Sequence, residues 1–397
     1  MFTPVSIRNL IDGGRQTVLS IVGISFAIIL IFMQLGFLGA VLDTAVLFYN
    51  NLNFDLVVRS PDYYHFGDAK DFSREYLHRI EDVAGVESCY PFHVSLGRWS
   101  YAEKSVQRGL LIMGIDPTVQ TFSSGRSKIV LPNAALLTSD HYILVDEKSS
   151  AEYLGFDRST RFSPDSIGLR IELSQSECEI IGLFRMGTGL AANGAAIISE
   201  QGFERINPGY GSNRVALGLI QLEKSSMQNP AAARKLIYRS LNLDPLIAPP
   251  VVEVLTREEV IGRERHHWIA NTPVGFIFLT GAVMSFFVGA IIVYIILSAD
   301  INRQLGEYAT LKAMGYRAGF LNRVVLEQAI VLGVVSYGLS LVVSLFLFKV
   351  VGEAANLPIT MTTSKQLIVS ISSLLMCGIS AVIAMQKLRK ADPADLF

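Results

Sequence analysis

Apolar positions along the chain gather into four runs, Val18–Leu42, Val274–Ala299, Val324–Phe348 and Leu367–Met385. A helix needs about 20 such residues to cross the hydrocarbon core of a bilayer. The pattern therefore predicts spans over 18–42, 272–299, 324–348 and 367–386. The first run holds no charge and is longer than the apolar core of about 7 to 15 residues in a cleaved signal peptide. Residues 1–17 place Ile7, Leu10 and Ile11 at helical spacing, with Arg8 and Arg15 among them, which predicts an interfacial helix leading into the first span.

Between the first and second runs, residues 43–271 alternate apolar and polar positions as a water-exposed domain does. Phe54–Arg59 reads as a strand, Asp71–Val83 as a helix, and Val86–Ser100 and Val106–Ile115 as strands. The order returns with Val215–Leu222 as a strand, Ala231–Leu241 as a helix and Val251–Leu255 as a strand. These two sets predict one split α/β subdomain, 53–115 with 214–255. Residues 116–213 would form a mainly β insert, with strands at Tyr142–Val145, Ile167–Leu173, Cys178–Phe184 and Ala195–Ile198. Thr256 and Glu259 carry capping-box spacing, so a stalk helix should run over 256–271, with Trp268 suited to the interface between water and lipid. Thr272 and Pro273 suit the cap and first position of the second span. The expected fold class is an α-helical membrane protein of four spans with a large α+β extracytoplasmic domain between spans one and two.

Small residues recur at four-residue spacing within the spans: Gly281, Ser285 and Gly289 in the second, Ser336, Ser340 and Ser344 in the third, and Gly23 with Ala27 and Gly36 with Ala40 in the first. That spacing lets helix backbones approach closely in lipid. Glu327, early in the third span, is one turn from Arg323, and an interfacial ion pair is a better reading than a transport relay.

Residues 300–323 form a charged island between spans two and three. At 100° per residue, Ile301, Leu305 and Tyr308 share one side, and Asp300, Arg303, Glu307 and Thr310 the other, which predicts a short amphipathic helix. Gly315 is placed to end it, and Lys312 suits its carbonyl end. The helix could be an ordinary solvated loop or a relay to a soluble partner. Basic residues precede span one, fill the island and follow span four, at Lys387, Arg389 and Lys390. The link 349–366 holds only Lys349 and Lys365, so the positive-inside rule places both termini, including the tail 387–397, and the island in the cytoplasm.

The 397 residues are 50% hydrophobic, with 34 Lys and Arg against 35 Asp and Glu, a balance that gives no field for nucleic acid. Cys89, Cys178 and Cys377 lack paired metal-ligand spacing, so no metal site is expected. Cys89 and Cys178 remain open between a disulfide and two buried thiols. The sequence contains no GxxxxGK[ST] phosphate loop, HExxH or GxSxG, and Gly187–Gly194 is glycine-rich without the lysine. No enzyme is expected, and this chain should bind no cofactor of its own.

One span, a large domain, then three spans with a charged helix between the second and third resembles the MacB and FtsX superfamily of ABC permeases. The island carries the resemblance most directly, in Arg303, Glu307, Leu311, Lys312, Ala313 and Gly315, followed by Glu327 in the next span. Pro393 and Leu396 are similar to the closing signature of the family. Glu307–Tyr316, Thr272–Phe278 and Asn53–Val58 look most like DevC-type permeases of cyanobacterial exporters. The resemblance implies a MacB-like periplasmic domain and a homodimer in a bacterial inner membrane. It also implies that a separate ABC ATPase subunit binds the ATP and meets Arg303 to Gly315, and that the stalk at Thr256, Glu259 and Trp268 relays the motion. It further implies mechanotransmission to a periplasmic membrane-fusion adaptor and a TolC-like outer-membrane channel, with glycolipid or another amphiphile as the exported membrane lipid. Two alternatives stand beside this exporter: an FtsX- or Lol-like permease that regulates a cell-wall hydrolase or releases lipoproteins, and a ligand-binding membrane receptor with no ATPase.

Overall fold

The computed structural model describes residues 14–101, 106–119, 121–122, 134–149, 151–154, 162–187, 194–242, 251–304, 306–307, 310, 314–316, 318–355 and 357–390. Elements in chain order are α1 (Arg15–Ala45), α2 (Leu47–Asn51), β1 (Leu56–Arg59), β2 (Phe72–Ser73), α3 (Glu75–Glu81), β3 (Val86–Tyr101), β4 (Val106–Ile115), β5 (Tyr142–Asp146), β6 (Arg170–Leu173) and β7 (Ser176–Phe184). They continue with β8 (Ala195–Ser199), α4 (Glu200–Ile206), β9 (Arg214–Val215), β10 (Leu217–Leu222), α5 (Pro230–Ser240), β11 (Glu253–Thr256), α6 (Arg257–Ala270), α7 (Pro273–Arg303), α8 (Ala318–Ala355) and α9 (Thr363–Lys390). The chain forms two units, Val41–Asn271 on one hand and Met1–Ala40 with Thr272–Phe397 on the other.

The Val41–Asn271 unit is built on nine strands in the order β11-β1-β10-β3-β4-β8-β5-β7-β6. All four residues of β1 are buried because both of its faces are covered. Leu56 and Val58 point to one face, where they pack with Leu77 of α3 and Ile237 of α5, while Val57 points to the other, with Phe92, Leu219 and Leu255. Strand β3 serves both halves of the sheet: residues 86–92 pair with β10, and His93–Tyr101 pair with β4. The far half buries Trp99, Leu110, Ile143, Ile180 and Ile198 together.

Two expectations are corrected here. Strand β4 pairs antiparallel with β3 on one edge and in parallel with β8 of the insert on the other, so one sheet continues across the boundary expected at residue 115. The helix expected over 71–83 is shorter, because Phe72 and Ser73 pair with Val215 and Arg214 before α3 begins. Cys89 and Cys178 are separate buried free thiols in different core clusters, and burial pushes both thiols up.

In the other unit, α1, α7, α8 and α9 contribute four helices long and apolar enough to cross a membrane. Their contacts give the running directions. Gln16 bonds Asp300 at 3.0 Å, while Cβ atoms on Gly289 and Gly281 would stand 2.9 Å from Ala27 and 2.7 Å from the Gln34 side chain. Numbers rise along α1 as they fall along α7, so the two helices are antiparallel. Against α8 the direction is opposite: Ser336 Oγ donates to Ile21 O at 3.3 Å, and Ser340 Oγ, shared with Ser336 O of its own helix at 2.6 Å, reaches Ser25 O at 3.0 Å, one turn apart on both helices. Ser25 Oγ returns a bond to Ser336 O at 3.2 Å. Spans one and three therefore run the same way and span two runs back, as alternate crossing requires. Ser285 Oγ is used within its own helix, on Gly281 O, and Ser344 Oγ is buried without a hydrogen-bond partner among the described residues.

The island is divided. Asp300–Arg303 complete α7, and its last residues 318–323 begin α8, because the two spanning helices continue past the apolar runs at this end. Likewise Lys365 lies in α9 rather than in the link, and 387–390 extend α9. Residues 1–13 of the expected interfacial helix and 391–397 of the tail lie outside the described residues, as do Leu305, Tyr308 and 188–193 of the glycine-rich loop.

Replacing Ser336 and Ser340 together by Val removes two interhelical hydrogen bonds and adds bulk at buried positions. Such bonds are worth about 0.6 kcal/mol each, at most about 1.7. The double variant should melt several degrees below the parent chain in detergent, and an unchanged melt would show that this seam carries no stability.

Candidate functional site

In the Val41–Asn271 unit the stalk helix α6 is the element with the most polar attachments. Its start has the expected capping box: Thr256 Oγ1 accepts from Glu259 N at 3.2 Å, and Glu259 Oε2 accepts from Thr256 N at 2.8 Å. Glu259 is also held by Arg234 of α5 at 2.8 Å, and these donors draw its carboxyl below the usual glutamate range despite partial burial.

One residue into α6, Arg257 takes a role that sequence reasoning missed. Its Nη1 donates to Leu52 O at 3.0 Å and Phe54 O at 3.1 Å, and its Nη2 to Tyr49 O at 2.7 Å and Asn50 O at 3.0 Å. The guanidinium also lies 4.6 Å from the centre of the Phe54 ring. The four carbonyls belong to the end of α2 and the residues after it, where a helix leaves its last C=O groups unpaired. A planar cation with five N–H donors answers that need better than any other side chain.

Two turns later Glu264 is buried against the segment 60–68. Its Oε1 accepts from Phe66 N and from the Trp268 indole N–H, both at 3.2 Å. Burial pushes its carboxyl up to about 7, against the pull of those two donors and of Arg59. Trp268, expected at a lipid interface, is thus engaged with this carboxyl and with aromatic neighbours. His65 and His267 stack with ring centres 5.1 Å apart, Tyr64 meets His267 edge-on at 4.6 Å, and His65 meets Trp268 at 5.9 Å. Burial lowers both histidines; Asp68 opposes this at His65, and His65 adds to it at His267. Below them Tyr49 and Tyr63 share a hydroxyl hydrogen bond of 2.6 Å, and Arg59 lies over the Tyr63 ring while paired with Glu253.

In the other unit, the island residues are separated in role. Ile301 is buried among the spans, as its side of the helix predicted. Arg303 Nη1 donates to Gln16 Oε1 at 3.2 Å, and Gln16 Nε2 donates to Asp300, so Arg303 fastens the end of α7 to the start of α1. Gln16 was missed because nothing local in the sequence marks it. Glu307 is exposed. Gly315, also exposed, has φ +93°, the left-handed region that a helix-ending glycine reaches without steric cost, after a final helical bond from Met314 N to Thr310 O. Leu311, Lys312 and Ala313 lie outside the described residues. Arg323 and Glu327 form the expected pair at 2.8 Å. No cluster of three or more metal-ligating side chains occurs among the described residues.

Residues 279–393 match the family model described as FtsX-like permease C-terminal. A search of curated proteins found no match. Among solved structures, the chain is similar to the extracellular domain of the noncanonic ABC-type transporter YknZ from Gram-positive bacteria. The identity is 15%, with 51% of this chain and 99% of that chain covered, at a TM-score of 0.33. It is also similar to the periplasmic region of MacB from Actinobacillus actinomycetemcomitans, at 10% identity, 53% and 92% coverage and a TM-score of 0.36.

Two outcomes follow from the stalk chemistry. Arg257→Gln cannot reach four carbonyls, and hydrogen bonds to a charged group contribute about 1.5 to 3 kcal/mol each, though not additively. Thermal unfolding of the variant should show a loss of at least about 3 kcal/mol, and a loss below about 1 would exclude the clamp. Glu264 keeps its proton in the folded chain up to about pH 7, whereas an unfolded chain releases it near 4.5, so its contribution to stability falls as pH rises between those values. His65 and His267 act oppositely, because their contribution is present above 6.5 and fades on acidification. Glu264→Gln removes only the first effect. The variant should match the parent below pH 4.5 and exceed it at pH 8 by on the order of 3 kcal/mol in melting experiments; parallel pH profiles would refute the assignment.

Proposed function

We propose that this chain is the permease subunit of a tripartite ABC exporter, of the DevC-like branch of its superfamily, acting as a homodimer with a separate ATPase. The observation that carries the reading is the FtsX-like permease domain over residues 279–393, in a sequence that has no phosphate-binding loop of its own. The island between α7 and α8 would face the cytoplasm and meet the ATPase, and the Val41–Asn271 unit would act outside on an adaptor and an outer-membrane channel. ATP would be bound by the partner, and the exported material would be a glycolipid or similar amphiphile.

The geometry supports a division of labour within the island. Arg303 has its donors turned to Gln16 and Asp300, so its part is to hold the base of the island against α1. Glu307 and Gly315 are exposed and better placed to meet a soluble partner. Arg257 and Glu264 then fix the stalk to the outer domain, so that movement of α6 is carried into the sheet rather than absorbed by a loop.

The test is purification of the detergent-solubilised chain from its native host, with identification of what comes with it. An ABC ATPase subunit should co-purify, and its repeated absence would count against the reading and in favour of a receptor. Glu307→Arg and Gly315→Val should each lower export at least tenfold, about 1.4 kcal/mol of coupling, while the chain still reaches the membrane and α7–α8 stay folded. Normal export by both variants would remove the island from the mechanism. An ATPase that co-purifies while cell-wall hydrolysis, and not export, follows Glu307→Arg would favour the signalling permease.

A further inference from the structure

One face of α6 carries a groove of about 440 Å³, whose lining includes Arg59, Tyr64, Glu259, Arg263, His266 and Asn271. Its volume lies within the range of small-molecule sites, about 300 to 1,000 Å³. Asn271 caps α6, and the next residues, Thr272 and Pro273, start the spanning helix α7. This end of the groove is therefore one residue along the chain from the start of the spanning helix.

The charges in and behind the groove do not cancel. Glu253 is shared between Arg59 and Arg263, each at 2.6 Å, and Glu259, at the groove's upper end, is taken by Arg234 and the start of α6. Three guanidinium groups thus meet two carboxylates and leave one positive charge as long as the buried Glu264, which Arg59 attracts and which burial keeps protonated up to about pH 7, carries none. Arg263 keeps about half of its side chain exposed, and the exposed His266 has no hydrogen-bond partner among the described residues. The carbonyl end of α6 opposes an anion only within the last turn, and Arg263 stands above that turn. Tyr64 is 59% exposed and braced edge-on against His267, which gives the groove an aromatic rim of the kind that settles at headgroup level.

We propose that this groove holds the phosphate-bearing headgroup of an anionic phospholipid from the surrounding leaflet, with Arg263 and His266 donating to the phosphate oxygens and Tyr64 and Asn271 flanking the glycerol. The occupant is a lipid rather than a soluble anion because the groove ends where the chain enters the bilayer, and anionic rather than zwitterionic because the fixed charges leave a net cation. The site requires only that α7 crosses a membrane. It is independent of the exporter reading: failure of an ATPase to co-purify would leave it untouched, and loss of lipid preference would leave that reading untouched.

Native mass spectrometry of the full-length chain in detergent tests it, with dioleoyl phosphatidylglycerol and dioleoyl phosphatidylcholine as probes. Phosphatidylglycerol should be retained about tenfold more strongly, the size expected for charge-assisted hydrogen bonds to phosphate. Arg263→Gln with His266→Gln should abolish that preference. Arg265→Gln, which removes a cation paired with Asp43 outside the groove, should keep it. If the double variant is unstable, His266→Gln alone, at an exposed position, should reduce the preference about threefold. Equal retention of both lipids by the parent chain, an undiminished preference in the groove variants, or an equal loss in Arg265→Gln would overturn the proposal. Binding of inorganic phosphate at the groove without any lipid preference would overturn it too.

Discussion

The Arg257 guanidinium fastens together the two segments by which the chain enters and leaves its sheet domain. On one side are the last carbonyls of α2, directly after α1; on the other is the first turn of α6, directly before α7. Neither α2, with five residues, nor an isolated α6 would hold its angle alone, since helices this short are marginal without tertiary contacts. With Arg257 in place, α6 continues from β11, which pairs with β1, and β1 follows α2. One side chain therefore closes a loop of contacts among α2, β1, β11 and α6.

Much of this architecture was legible in the sequence because it depends on local periodicity. The four spans follow from length and hydropathy, and the capping box of α6 from Thr256 and Glu259 three residues apart. The Arg323–Glu327 pair follows from a separation of one helical turn. What escaped depends on contacts between distant residues. Gln16 and Asp300 are 284 positions apart, and a glutamine near the start of an apolar run carries no mark of its partner. The alternating pattern of strand β4 does not name its neighbours, and only the fold places it between β3 and β8. Nothing in the sequence sets Arg257 and Glu264 apart from the other charges of the stalk helix; their partners lie in segments 49–54 and 60–68, which pattern alone does not place.

The same distinction separates two kinds of charge on α6. Arg257 is always ionised and is matched by fixed carbonyl dipoles, so its grip does not depend on conditions. Glu264 is held by neutral donors in a buried place, where the attraction of Arg59, itself paired with Glu253, does not offset the loss of water. Its ionisation is therefore balanced near neutrality, and the strength of its bonds to Phe66 and Trp268 varies with its charge, since donors bind an ionised acceptor more strongly. The stalk is thus attached at one end by a bond of constant strength and in the middle by one of adjustable strength.

Within the membrane unit the serines do more than keep helices close. Small residues alone allow sliding, because one apolar contact in lipid is much like the next. Ser336 and Ser340 each aim at a particular carbonyl of α1, Ile21 and Ser25, at the same offset of 315 positions, so a slip of one residue would break both bonds. No comparable pair of bonds links α1 to α7 within the apolar stretch among the described residues; there the contact is Gly289 against Ala27 and Gly281 against Gln34. A polar tie between those helices stands at the end, where Gln16 meets Asp300 and Arg303. The α1–α8 pair is consequently fixed in register along its length, whereas α7 is pinned to α1 chiefly at the island end, and it is α7 that joins the island to the stalk. A force applied at the island would thus meet first the tie of α7 to α1 and then, farther along the helix, the bond from Ser380 Oγ of α9 to Ala290 O at 2.6 Å.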